Sequence, residues 1–194
     1  ALGTARADAL RVLWIMPHDS RLVALPADVK AQHQAYLQGL VTGVGAAEAA
    51  PADAATQGGP VSHAEGSLCG WCAGRCCRFG RAKNAYLALP HLRRWQKAHP
   101  DSTLQDAAAA YADRLPTQHV EGSCVYHGAR GCTLDRTMRS EICNLYTCDG
   151  LHDLQQRRAV DRRDDWLFVQ GQRAEVESTL LCADPGPAAA AVAR

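Results

Sequence analysis

Eight of the nine cysteines in this chain fall into two compact groups whose spacing is typical of metal ligands. The first group is Cys69, Cys72, Cys76 and Cys77, and the second is Cys124, Cys132, Cys143 and Cys148. Two thiolates separated by two residues can both reach one ion at about 2.3 Å from each sulfur. An odd total of cysteines also fits disulfide pairing poorly. The sequence therefore predicts a metal site with these eight ligands, and leaves Cys182 as a buried core thiol.

The adjacent pair Cys76 and Cys77 bears on how many metal atoms are bound. Neighbouring side chains usually diverge, so the two thiolates cannot easily close on one small tetrahedral ion. The pair is therefore predicted to serve two metal atoms. These belong either to one multi-iron cluster or to two mononuclear sites, and the sequence leaves both open.

The cysteine count is compatible with more than one metal. Two zinc ions with four thiolates each would use all eight cysteines and give a purely structural role. An iron-sulfur cluster would need four, leaving four for a second centre or for structural thiols. A 4Fe-4S cluster is the first expectation, zinc is the second, and copper(I) is a further soft metal that thiolates bind.

Basic side chains accompany both groups. Arg75 and Arg78 lie beside the first group, as does Arg81, and Arg139 precedes Cys143 by four residues. Positive charge lowers the pKa of a cysteine and offsets the negative charge of a metal-thiolate centre. Arg75, Arg78 and Arg139 are therefore predicted to bind the cofactor, or the carboxylate of a small molecule held at it.

Composition limits the class of protein. The chain has 194 residues, 47% hydrophobic content and a formal net charge of +1. These values predict one compact domain with tails and no general attraction to nucleic acid or to an anionic membrane. No stretch approaches the roughly 20 apolar residues of a membrane span. We expect a cytoplasmic protein, because thiols stay reduced there and serve as ligands.

The pattern of apolar residues divides the chain into four parts. Residues 1–45 are predicted to be a helical segment, with one helix over 8–16 and a second that begins near Pro26 and stops at Gly43. Residues 46–66 are rich in alanine, glycine and proline and are predicted to be a flexible linker. Residues 67–182 form the cysteine-cluster domain, and 183–194 form a tail.

Between and after the cysteine groups, local signals predict a mainly α fold. Residues 85–89 are predicted to be a short strand or turn, followed by a helix from Pro90 to about Ala98. Thr103 with Asp106 forms the cap of the next helix. Residues 151–160 are predicted to be a polar helix, and a short β-hairpin turns around Gly171. The fold expected is a small, irregular, metal-stabilised domain.

The order of these motifs resembles the CxxCxxCC family, the YkgJ-like cysteine-cluster proteins, which is described as a zinc- or iron-chelating domain. The resemblance covers roughly residues 69–149 and rests on Cys69-Gly-Trp-Cys72-Ala-Gly-Arg-Cys76-Cys77, on Cys124 and Cys132, on Arg139-Ser140-Glu141-Ile142-Cys143, and on Cys148. The chain departs from the family by having three residues between Cys72 and Cys76 and Ser140 in place of a proline. Ser140 can still cap a helix that carries Cys143, with Glu141 near its positive end.

The resemblance implies a metal-binding protein that works in redox chemistry, metal handling or interaction with a protein partner. Relatives in that family include a flagellin lysine N-methylase, so an iron-sulfur enzyme using S-adenosylmethionine is an alternative. A purely structural zinc module is a third. The sequence shows no nucleophile motif or glycine-rich nucleotide loop, so whether the chain is an enzyme stays open.

Overall fold

The computed structural model describes residues 11–15, 21–43, 62–160, 165–172 and 175–182, which form two compact units. The sheet unit contains β1 (Arg11–Ile15), α2 (His63–Cys72), α6 (Asp149–Val160), β6 (Trp166–Gln172) and β7 (Glu175–Cys182). The helical unit contains β2 (Leu22–Ala24), α1 (Ala27–Thr42), a 3-10 helix (Arg75–Tyr86), α3 (Leu89–Ala98), α4 (Leu104–Ala112), β3 (Gln118–Val120), β4 (His127–Gly128), β5 (Gly131–Cys132) and α5 (Glu141–Leu145). Helices account for more of the described residues than strands do, so the prediction of a mainly α protein is confirmed.

The sheet unit is built on three strands in the order β1, β6, β7. β6 and β7 are antiparallel, which confirms the predicted hairpin, whereas β1 is parallel to β6. The expected turn at Gly171 is wrong, because this glycine lies inside β6, which extends to Gln172. A register shift falls between Gln170 and Gly171. Glycine is a common residue at such a bulge, so its presence did not mark the end of the strand.

The helix predicted over residues 8–16 is also wrong, because its described part, Arg11–Ile15, is β1. Leu13 is fully buried while its neighbours Val12 and Trp14 are exposed, which is the two-residue alternation of a strand. β-branched and aromatic residues suit a strand, and pairing with β6 provides the hydrogen bonds. Of the described residues 11–15 and 21–43, the helical prediction therefore holds for α1 alone.

The core of the sheet unit lies between the inner face of the sheet and two helices. α2 and α6 contribute Leu68 and Leu154, which pack with Leu13 and Phe168 from the strands. Cys182 is buried in this cluster, so its interpretation as a core thiol is confirmed.

The predicted linker over 46–66 overlaps the start of α2 and is too long at that end. Ser62 and Glu65 form a reciprocal cap: the backbone N-H of Ser62 donates to Glu65 Oε2 at 2.8 Å, and that of Glu65 donates to Ser62 Oγ at 3.1 Å. Cys69 and Cys72 consequently lie in the last turns of a helix and not in a loop. The rest of the linker, and the tail predicted over 183–194, lie outside the described residues.

The helical unit follows the predicted caps closely. α1 begins after Pro26 and ends at Gly43, whose φ of 76° is left-handed and suits glycine. α3 begins next to Pro90, and α4 begins after Thr103, whose hydroxyl accepts from the N-H of Asp106 at 3.1 Å. These helices enclose a core that includes Leu37, Leu40, Leu92, Ala107, Tyr111 and Tyr126.

The segment predicted as a short strand or turn over 85–89 begins in a turn. The regular 3-10 helix ends before Lys83, Asn84 and Ala85 have left-handed φ of 46° and 57°, and the N-H of Leu87 donates to the Asn84 carbonyl at 3.0 Å. Leu87 is then extended before α3 begins. Left-handed backbone at residues other than glycine is costly, so the surrounding packing must hold this bend in place. In the described part of the chain, no helix is long and apolar enough to cross a membrane.

Buried His33 in α1 gives the helical unit a pH dependence. Burial lowers the pKa of His33 to about 4 and outweighs the opposing interaction with the Asn84 side chain. An unfolded histidine has a pKa of about 6.5, so the unfolded state binds the extra proton between these values. We expect the free energy of unfolding to fall as the pH drops from about 6.5 to 4, by at most about 3 kcal/mol. Denaturant titrations of wild type and His33→Gln across this range test it: the variant should lose this slope, and an unchanged slope would contradict the assignment.

Candidate metal centre

Five cysteines of the helical unit come together: Cys76, Cys77, Cys124, Cys132 and Cys143. The charge of each one acts on at least three of the other four, and Cys132 interacts with all four. They come from four separate stretches of chain, namely the 3-10 helix, the turn after β3, β5 and α5. The fold therefore gathers thiols that are up to 67 residues apart in the sequence, 143 minus 76.

Small residues let the 3-10 helix approach the other thiols closely. Gly74 has a φ of 92°, and a Cβ atom there would lie 3.2 Å from Cys77 Sγ and 2.9 Å from His127 Nε2. The backbone of Gly80 packs on the side chain of Cys124, where a Cβ would lie 3.5 Å from Sγ. The left-handed bend then presents the Ala85 carbonyl to Cys143 Sγ at 3.8 Å. The local backbone is thus shaped around sulfur atoms.

The five thiols do not ionise equally. The hydrogen bond from Cys77 lowers the pKa of Cys76 to about 7, although partial loss of solvent opposes this change. The same bond raises the pKa of Cys77. Burial raises the pKa of Cys124 to about 12, and partial loss of solvent around the sulfur is the main cause of the raised pKa of Cys132 and Cys143. Mutual repulsion adds to these increases, so the group resists becoming fully negative on its own.

Backbone N-H groups nevertheless point at several of the sulfurs. Cys124 accepts a hydrogen bond from the backbone of Tyr126, and Cys132 accepts one from Leu134, two residues on in each case. These bonds lower the pKa of the thiol that receives them. Hydrogen bonds to sulfur also stabilise metal-bound thiolates and tune the metal.

Arg139 acts electrostatically on three thiols of this group. Its charge lowers the pKa of Cys76, Cys132 and Cys143. Its Nε donates to the Leu134 carbonyl at 2.8 Å, and a terminal nitrogen donates to the Cys132 carbonyl at 3.4 Å. The guanidinium is therefore held beside the thiols by the chain segment that carries one of them. Arg75 and Arg78, also predicted to bind a cofactor, are exposed on the 3-10 helix.

A polar cluster on α3 positions the segment that carries Arg139 and Cys143. Arg94 donates to the carbonyls of Thr137, at 3.1 Å, and Arg139, and to the carboxylate of Glu141. His91 Nε2 donates to the other Glu141 oxygen at 2.9 Å, while Nδ1 accepts from the N-H of Ala88. Burial alone would raise the pKa of Glu141, but its hydrogen bonds, including the one from His91, lower it.

The cap of α5 completes this arrangement. Ser140 Oγ accepts from the N-H of Cys143 at 3.3 Å, as the sequence predicted for a serine in the place of proline. The role of Arg94 and His91 was not predicted, because both lie about 45 residues or more before their partners. No local sequence pattern predicts contacts between residues so far apart in the chain.

Replacing Arg94 should loosen the segment over 137–141. Arg94→Gln removes the Arg94 donors from two carbonyls and from one of the two oxygens of the Glu141 carboxylate, and we expect it to lower the free energy of unfolding by about 2 to 3 kcal/mol. Arg93→Gln, at the exposed neighbouring position, is the matched control and should change stability by less than about 0.5 kcal/mol. Urea unfolding of the two variants measures the difference. Equal stabilities would show that the contacts of Arg94 do not hold the segment.

His127 lies near the start of the 3-10 helix, and both of its ring nitrogens already form hydrogen bonds. It is fully buried, its Nε2 donates to the Ala73 carbonyl, and its Nδ1 accepts from Ser123 Oγ at 2.7 Å. The histidine therefore links β4 to the turn before the 3-10 helix and packs closely against Gly74. This is a structural role.

The remaining predicted ligands, Cys69, Cys72 and Cys148, belong to the sheet unit. Cys69 and Cys72 are one helical turn apart on α2, and Cys148 directly precedes α6. α2 and α6 pack against one another within that unit. These three cysteines therefore belong to a different compact unit from the other five.

The sulfur atoms of these thiols are not arranged around a single position that a metal ion could occupy. Over residues 11–15, 21–43, 62–160, 165–172 and 175–182, no group of three or more histidine, cysteine, aspartate or glutamate side chains has the geometry to hold a metal ion as it stands. The five thiols are neighbours and their chemistry suits a soft metal, but their side chains would have to turn toward it.

Comparison with known proteins adds no further constraint. No protein-family model, curated protein or solved structure matches this chain. The resemblance to the YkgJ-like proteins accordingly rests on the cysteine motifs alone and stays a prediction.

Proposed function

We propose that this chain is a metal-binding cysteine-cluster protein, and that its helical unit holds the metal through Cys76, Cys77, Cys124, Cys132 and Cys143. The observation that carries the proposal is that these five thiols, which come from four stretches of the chain, act electrostatically on one another, each on at least three of the other four. Packing of an ordinary protein core does not require so many neighbouring thiols, whereas coordination of a soft metal does.

The electrostatics of the group support a bound cation. Burial and mutual repulsion raise the pKa of four of the five thiols, so several thiolates can coexist only if positive charge is supplied. Arg139 supplies one such charge. A metal ion or cluster supplies more, and its binding displaces the thiol protons.

The number and exposure of the thiols fit an iron-sulfur cluster, with 4Fe-4S as the first assignment. Such a cluster takes four thiolates, and its faces accept ligands from different directions, as the adjacent pair Cys76 and Cys77 requires. Cys76 and Cys143 are exposed, so one side of the centre faces solvent, whereas Cys124 is buried. Bound there, the cluster would supply one-electron chemistry, and the residues of this chain would hold it and set its charge environment.

A structural zinc site is the second candidate, and one observation favours it. Cys77 and Cys132 pack against the apolar core of the helical unit, which also includes buried Cys124. A zinc ion bound by these thiols would tie the 3-10 helix and β5 to that core and add folding free energy directly.

The sheet unit supplies a second proposed set. Cys69 and Cys72 share a helix face, since residues three apart on a helix are neighbours, and Cys148 lies at the start of the helix that packs on α2. We assign these three as soft-metal ligands of the sheet unit. All eight cysteines then have the role that the YkgJ-like resemblance implies, and a reducing compartment such as the cytoplasm would keep them reduced.

Metal content of anaerobically purified protein tests the proposal. Iron with equivalent acid-labile sulfide, together with a brown colour and charge-transfer absorption, would support the cluster. Zinc in a colourless protein would support the structural site. Protein that contains neither metal, and binds neither after anaerobic reconstitution, would refute the proposed function.

A further inference from the structure

The 3-10 helix presents three ordered rows of side chains, because a 3-10 helix has three residues per turn and side chains three apart eclipse one another. The regular part of this helix ends before Lys83, where the backbone departs from helical angles. The inward row contains half-buried Cys77 and buried Gly80. The two outward rows are exposed throughout.

One outward row is a ridge of arginines, Arg75, Arg78 and Arg81. With a rise of about 2 Å per residue, their Cα atoms follow one another at about 6 Å along one side of the helix. Arg81 leans toward the turn after β3, where its terminal nitrogen lies 3.6 Å from the Cβ position of Gly122. No acidic residue occurs between positions 66 and 100 of the chain, so the helix itself supplies no compensating carboxylate. Arg78 and Arg81 are like charges stacked in this way, so they repel, and an anionic partner would relieve the repulsion.

The second outward row is apolar and begins at the thiol group. It contains exposed Cys76 followed one turn later by Phe79, which is 63% exposed. The ring of Phe79 lies 5.7 Å from that of Tyr146, whose N-H donates to the carbonyl of Ile142 on α5, a residue that is 55% exposed. Large exposed apolar side chains beside a charged row are typical of surfaces that contact another protein.

We infer that the arginine ridge and the Phe79 row together form a docking surface for an acidic segment of a partner protein. Carboxylates of that segment pair with Arg78 and its neighbours, and an apolar side chain packs on Phe79 and Tyr146. Charge complementarity is the basis for this occupant, because a guanidinium fork matches a carboxylate bidentately. The formal net charge of the chain is only +1, so the wider positive field that a nucleic-acid backbone requires is missing.

The surface lies next to Cys76 and leads to the thiol group. A bound partner would therefore stand beside the proposed metal centre. That consequence rests on the proposed function, whereas the docking itself does not require a metal.

Fluorescence anisotropy with a labelled peptide of alternating glutamate and leucine tests the inference. Wild-type protein should bind this peptide, more weakly as salt rises, and should not bind the same peptide with glutamine in place of glutamate. Arg78→Glu should weaken binding at least about tenfold, because it converts an attraction into a repulsion. Phe79→Ala should weaken it to a smaller extent. Arg93→Glu, which makes the same charge change at an exposed site on α3, should leave binding within about twofold of wild type.

Three results would overturn the inference. These are no salt-dependent binding of the acidic peptide, equal loss in Arg78→Glu and Arg93→Glu, or tighter binding of a single-stranded oligothymidylate than of the peptide. Circular dichroism and metal content, measured on every variant, separate a docking defect from misfolding. Failure of peptide binding with metal present would refute the docking surface and leave the proposed function intact.

Discussion

Cys143→Ser is expected to remove the metal and to destabilise the helical unit by roughly 10 kcal/mol or more relative to the metal-bound wild type, which is the free energy that structural metal binding supplies. Cys143 is exposed, and its thiol interacts with the Ser140 side chain and, at 3.8 Å, with the Ala85 carbonyl, so the side chain contributes little to packing by itself. A large fall in the free energy of unfolding would therefore show that the bound metal had been lost. Metal content by mass spectrometry and denaturant unfolding, both without oxygen, measure the two effects, and Cys76→Ser should behave in the same way.

Two comparisons separate metal loss from other effects. Wild type stripped of metal by a chelator should resemble Cys143→Ser in stability. Cys182→Ser should keep full metal, although placing a hydroxyl in the core of the sheet unit should cost about 1 to 3 kcal/mol. Retention of metal in Cys143→Ser, or its loss in Cys182→Ser, would contradict the assignment of ligands.

Gly74→Ala should have the second-largest effect. The residue has a φ of 92°, a region that side chains rarely adopt, and the added Cβ would meet Cys77 Sγ at 3.2 Å and His127 Nε2 at 2.9 Å. We expect the free energy of unfolding to fall by about 2 to 4 kcal/mol, from backbone strain and from the displaced neighbours. Because the clash moves Cys77, the affinity for metal should fall as well. Unfolding curves and competition with a chromogenic chelator measure these changes.

Gly70→Ala is the matched control for that substitution. Gly70 lies inside α2, its φ is not left-handed, and a Cβ there would meet nothing within 4 Å. Alanine favours a helix interior, so the variant should be unchanged or more stable by up to about 1 kcal/mol. If both glycine variants behaved alike, the close packing of the 3-10 helix on the thiols would not be a determinant of stability.

Much of the helical unit could be predicted because its elements carry local signals. Thr103 with Asp106, Pro90, and Gly43 each satisfy a backbone requirement within a few residues of themselves, and each marks an observed helix boundary. The capping pair Ser62 and Glu65 is a signal of the same kind that was overlooked in an alanine-rich context.

The strand β1 and the grouping of the cysteines depend on distant partners and were harder to predict. Arg11–Ile15 is a strand because β6, more than 150 residues later, pairs with it. Cys72 and Cys76 belong to the same group in the sequence, yet they lie in different compact units. The spacing of the cysteines identified them as candidate ligands. Which of these thiols become neighbours is decided by tertiary packing around the 3-10 helix and by the contacts of Arg94.

The most direct test of the central claim, that the thiols of the helical unit converge on a metal, is X-ray absorption at the metal edge of the anaerobically purified protein. We predict a shell of about four sulfur atoms near 2.3 Å from each metal atom, and a lower sulfur count for any metal that Cys143→Ser retains. A shell made only of nitrogen and oxygen, or the same sulfur count in the variant, would contradict the account.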